Sequence, residues 1–106
     1  MKYKEIFRLK EMLETEGIPL RFFDRSNEAM NFESWQLVYP DVESYDDNRI
    51  CSVIEGVGSY GQRQDLLEIR GLLTEEEEKE DSVRGWLTAE NVFNRIKNHY
   101  EHIQED

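Results

Sequence analysis

The chain reads as a single α+β domain: an N-terminal helix, a three-stranded antiparallel meander, and two or three C-terminal helices packed on one sheet face. Two observations predict this. Apolar residues recur with a period near 3.6 at both ends of the chain and near two across the middle. The length, 106 residues, suffices for one hydrophobic core and not for a second, so residues 1–106 are read as one domain.

Lys2 to Glu16 is the first predicted helix, because Ile6, Leu9 and Leu13 fall at three- and four-residue spacing with Tyr3 and Met12 beside them. Gly17 supplies a left-handed stop and Pro19 forbids continuation. Leu20 to Asp24 is short and aromatic, which suits a strand, and Ser26 to Asn31 reads as a connection. Trp35 to Tyr39 is the second strand, with Trp35, Leu37 and Tyr39 on one face, and Pro40 ends it. Asp41 to Asn48 is rich in Asp, Ser and Asn and reads as a loop. Arg49 to Glu55 is the third strand, apolar enough at Ile50, Val53 and Ile54 for burial on both faces.

Beyond a glycine-rich loop, Gly56 to Gly61, the period predicts a helix over Asp65 to Arg70, weakened or ended by Gly71. Thr74-Glu75-Glu76-Glu77 matches a capping box and starts a short acidic helical turn. Ser82 to Trp86 reads as a connection broken by Gly85. Thr88 then caps the last helix, with Leu87 and Val92 spaced as a hydrophobic staple and Val92, Phe93, Ile96, Tyr100 and Ile103 on one side.

Charge narrows the functions. Twenty-four Asp and Glu oppose thirteen Lys and Arg, for a net charge of −11. The acids are clustered: Asp41 to Asp47 holds four with no base, and Glu75 to Asp81 holds six against Lys79. The first ten residues run the other way through Lys2, Lys4, Arg8 and Lys10. Such a field repels nucleic acid and anionic membrane and steers basic partners inward. No apolar run reaches membrane-spanning length and Met1 to Lys10 is charged throughout, so the expected compartment is the cytoplasm.

Gly56-Val57-Gly58-Ser59-Tyr60-Gly61 spells the dinucleotide-binding glycine pattern, whose glycines allow a tight turn and close pyrophosphate approach. Its context is missing, since no parallel strand follows and the acids about 20 residues on fall in a charge run. A phosphate on backbone amides near Tyr60 is opposed by the surrounding charge. His99 and His102 lie one helical turn apart but lack a third metal ligand. Cys51 is the only cysteine, which excludes an internal disulfide, and its apolar strand suits a buried thiol rather than a nucleophile. No catalytic, cofactor or metal residue is assigned. The remaining candidates form an interaction surface: Glu75, Glu76, Glu78, Glu80 and Asp81 in one acidic segment, Asp46 and Asp47 in the other, and the aromatics Trp86 and Tyr60. Acids so clustered can imitate nucleic-acid phosphates and occupy a basic groove.

The residues Arg49-Ile50-Cys51-Ser52-Val53-Ile54-Glu55, Ser59-Tyr60-Gly61, Asp65-Leu66-Leu67-Glu68-Ile69, Gly71-Leu72-Leu73-Thr74 and Gly85-Trp86-Leu87-Thr88-Ala89-Glu90-Asn91-Val92-Phe93-Asn94-Arg95-Ile96-Lys97 carry a likeness. In them the chain resembles a group of small acidic proteins of Gram-positive bacteria and their prophages. The likeness spans about the last 60 residues, with a looser echo in the first helix, and patterning of that length reports a shared fold. It implies a prophage-type accessory protein and no site residues. The expected function is non-enzymatic: binding of a protein partner, basic and nucleic-acid-handling, through the acidic or aromatic surface. The alternatives are a homodimeric or higher homo-oligomeric assembly protein, and a small ligand-binding protein or enzyme that uses Ser59 to Gly61.

Overall fold

The computed structural model describes residues 4–56 and 65–104. Its elements are α1 (Lys4–Thr15), β1 (Arg21–Asp24), β2 (Ser34–Tyr39), β3 (Cys51–Gly56), β4 (Leu67–Arg70), α2 (Glu75–Glu80), β5 (Val83–Leu87) and α3 (Ala89–Gln104). The strands form one antiparallel sheet in sequence order, β1-β2-β3-β4-β5. The architecture is therefore α+β with a five-stranded meander and a long helix at each end, which corrects the expected three strands followed by C-terminal helices.

Two segments account for the difference. Asp65 to Arg70, expected as a helix, supplies β4. Leu67 and Ile69 turn into the core, and Val53 on β3 pairs with Ile69. Leu and Glu favour a helix locally, but a four-residue segment is too short for propensity to outweigh ladder pairing and burial. Ser82 to Trp86, expected as a connection, lies largely in β5. Between the pairs Leu67↔Leu87 and Ile69↔Arg84, Glu68 alone opposes both Gly85 and Trp86. That is a β-bulge, and Trp86 takes a left-handed φ of 57° within it. The bulge hides the period-two pattern from a reading of the sequence.

The helices form where their apolar stripes require. On α1, Ile6, Leu9 and Leu13 are fully buried, and Gly17 and Ile18 close the helix as a Schellman motif, through Ile18 N–H to Leu13 O at 3.0 Å and Gly17 N–H to Glu14 O at 3.1 Å. On α3, Thr88 Oγ1 accepts the Asn91 amide at 3.1 Å, and Leu87 and Val92 both enter the core. α1 packs on α3, and with Ala89, Val92, Phe93 and Ile96 it covers the sheet face that carries Leu37, Val53, Leu67 and Ile69. Ile103, expected on the apolar side of α3, is exposed. No helix among the described residues is long and apolar enough to cross a membrane.

Candidate interaction surface

The register sorts the connections between strands into two ends of the sheet. Tyr39 pairs with Cys51 at the base of the β2–β3 loop, and Ser52 pairs with Arg70, so β4 ends beside that loop. Residues 40–50 and 71–82 therefore leave the same end. Their bases touch: a Cβ on Gly71 would stand 2.3 Å from Ile50 O. Gly71 takes a φ of 93°, and the left-handed Leu72 follows it, which turns the chain sharply toward α2. The two acidic segments thus leave the sheet at the same end, the first held toward β1 by Arg21 and the second toward α3 by Arg95. The C-terminal parts of α1 and α3 reach this end too, joined by Lys97 to Glu16 at 3.3 Å.

The acids there divide by partner. Asp41 and Glu43 are held by Arg21 at 2.8 and 2.6 Å, which folds the loop back toward β1. Glu77 is held by Arg95 through paired contacts, Nη1 to Oε1 at 2.8 Å and Nη2 to Oε2 at 2.9 Å, and Arg84 approaches at 3.5 Å. Glu77 also closes the capping box, since its carboxylate accepts the Thr74 amide while Thr74 Oγ1 accepts the Glu77 amide. The Arg95 and Thr74 contacts lower the Glu77 carboxyl to about 2. Arg95 further donates to Leu72 O at 3.0 Å, so a single ion pair ties α2, α3 and the β4 exit together.

Asp46, Asp47, Glu75, Glu76, Glu78 and Asp81 have no cationic partner among the described residues. Asp46 is the least free of them, as its Oδ1 accepts the Asn48 amide at 2.7 Å in a local turn. Glu80 meets Arg84 at 3.4 Å in an exposed pair, a contact of little strength in water. Tyr45, on the same loop as Asp46 and Asp47, is 83% exposed.

Three of the sequence candidates, Glu80, Asp81 and Trp86, meet at β5. A surface groove of about 500 Å³ is lined by Glu80, Asp81, Val83, Arg84, Trp86 and Leu87, so the end of the second acidic segment and the aromatic candidate share one recess. Trp86 is 58% exposed because the bulge turns it away from the core. Arg84 was not a sequence candidate, since only the pairing of β5 brings it between Glu77 and Glu80. Tyr60, Ser59, Gly58 and Gly61 lie outside the described residues, and with them most of the glycine pattern.

The other singled-out groups have structural partners. The Tyr39 hydroxyl and His99 Nδ1 are 2.8 Å apart, and His102 Nδ1 lies 2.6 Å from Asn98 O. Among the described residues no group of three or more His, Cys, Asp or Glu is placed to hold a metal ion. Burial pushes the Cys51 thiol up to about 12, which suppresses the thiolate. Glu55 was missed: it shares the core face of β3 with Cys51 and Val53 and is fully buried. Its Oε1 accepts the Ile6 amide near the start of α1 at 3.1 Å, while Oε2 is the one buried side-chain oxygen among the described residues with no partner. Burial, then the Asp65 carboxyl, push Glu55 up to about 9, so the acid is protonated at neutral pH and can donate from Oε2 toward Asp65.

Comparison with protein-family models, curated proteins and solved structures finds no match to this chain in any of the three.

Proposed function

We propose that the chain is a non-enzymatic accessory protein, of the small acidic prophage type that it resembles, which binds a basic protein partner. The binding surface is the sheet end formed by residues 40–50 and 71–82, with Trp86 at its margin. The observation that carries this reading is the set of carboxylates Asp46, Asp47, Glu75, Glu76, Glu78 and Asp81, on two connections that leave the same end of the sheet and without a cationic partner among the described residues. A folded protein gains little from leaving such charges together, since like charges repel and cost stability. A partner with Lys or Arg in register recovers that cost on binding and is drawn in by the long-range field. A nucleic-acid-handling protein fits because its own groove displays positive charge for phosphates.

The test is capture from a Gram-positive lysate on the immobilised chain, eluted by a salt gradient, beside a variant carrying Glu75→Lys, Glu76→Lys and Glu78→Lys. A basic protein retained by the parent chain, released at moderate salt and lost by the variant supports the reading. Equal retention by both, or retention indifferent to salt, overturns it.

A further inference from the structure

Among the described residues β5 ends the sheet, with β4 on one side and no strand on the other. An edge strand presents backbone N–H and C=O groups that can pair with another extended chain. Proteins commonly blunt such edges with charge, proline or an overlying element, and the bulge at Gly85 and Trp86 is one such device. Here a groove lined by Glu80, Asp81 and residues 83–87 lies along β5 from the end of α2. Its chemistry is polarised. Glu80 and Asp81 stand at the entrance to the strand, and the Trp86 ring stands near its far end.

We infer that the edge of β5 takes an extended Lys- or Arg-bearing segment of the partner as an added strand. This deepens the acidic-surface reading above and rests on it. In an extended segment alternate side chains point the same way, so basic residues two positions apart line one side. One can reach Asp81 and displace Arg84 from Glu80, an exchange that costs little because the Arg84–Glu80 pair is exposed. Backbone pairing supplies affinity, and the carboxylates select the sign of charge. A second copy of the chain is the poorer occupant, since each copy carries −11 and brings the same acids.

The experiment titrates the full isotope-labelled chain with a synthetic peptide alternating Lys with Val and Thr, and with its backbone N-methylated analogue of equal charge. Amide shifts are expected to concentrate at residues 83–87, with slowed hydrogen exchange there. N-methylation, which removes the donors, is expected to weaken binding at least about tenfold, the loss of one or two hydrogen bonds. The double variant Glu80→Lys with Asp81→Lys is expected to lose a similar factor with its amide spectrum otherwise retained. Equal affinity for both peptides, with shifts at Glu75, Glu76, Glu78 and Asp47, overturns strand addition and leaves the acidic-surface reading standing. Absence of binding to either peptide at low salt overturns both. Concentration-dependent self-association that protects the β5 amides makes a second copy the occupant and overturns the proposal.

Discussion

Two glutamates show how placement decides what a carboxylate does. Glu55 is buried opposite Trp35 in the sheet and keeps its proton because burial and Asp65 disfavour the charge. Its folded pKa lies above its unfolded value, so its contribution to stability is complete below about 4.5 and is lost as pH rises through about 9. Glu5 adds its negative charge to that of Asp65 at this site, and both lie by the start of α1. Stability of the parent chain is therefore expected to fall between pH 5 and pH 9, by at most about 1.4 kcal/mol per pH unit from this group. Glu55→Gln keeps an acceptor for the Ile6 amide and removes the titration. Urea midpoints at pH 5, 7 and 9 should fall less steeply in the variant; parallel curves would place the titration elsewhere. Glu77 behaves oppositely. Its pKa is depressed, so its contribution is present above about 4.5 and is lost as pH falls through about 2. Glu77→Gln is expected to cost about 1–2 kcal/mol at neutral pH by weakening the Arg95 and Thr74 contacts. The loss should vanish when the comparison is made near pH 2.

At the scale of elements, the ends of the segments matter more than their middles. α2 has six residues, no buried side chain and a capping box, so it owes its position to Glu77, Arg95 and the turn at Gly71 and Leu72. Gly71→Ala would drive a Cβ into Ile50 O while demanding a left-handed alanine. We expect a loss of at least about 2 kcal/mol in chemical denaturation, and a neutral result would mean that the β2–β3 loop base shifts freely. Thr88→Ala removes the acceptor for the Asn91 amide and should cost about 1 kcal/mol. An unchanged denaturation midpoint would show that α3 holds its first turn without that cap.

For the whole molecule, charge and topology act together. The triple reversal Glu75→Lys, Glu76→Lys and Glu78→Lys changes side chains that are exposed and bear no ion pair among the described residues. Its thermal transition is expected within a few degrees of the parent, because surface changes away from specific contacts are usually worth less than about 0.5 kcal/mol. A collapsed transition would mean that these acids hold the structure together, and their role as a binding surface would then have no support. With the fold retained, loss of basic-partner binding in the same variant separates recognition from stability.

Local interactions were legible in the sequence, because they involve residues within a few positions of one another. The stripe of α1, the stop at Gly17, the capping box at Thr74 and the cap at Thr88 each depend on spacing alone, and β1 to β3 follow from short aromatic, alternating and apolar runs between turn residues. β4 and β5 were not legible. One is short and built of helix-favouring residues, the other is interrupted by a bulge; β4 exists because β3 offers an edge and β5 because β4 does, which local propensity does not record. The same is true of the candidate surface. Its acids can be counted in the chain, but strand order sends residues 40–50 and 71–82 out of the same end of the sheet, and side-chain pairing removes Asp41, Glu43 and Glu77 from the free set. Glu55 lies on an apolar strand face in the sequence, yet only packing removes its water and leaves it protonated. Composition determined the sign of the chain's own charge; the sheet decided where that charge stands, because pairing between distant strands is a property of the folded chain as a whole.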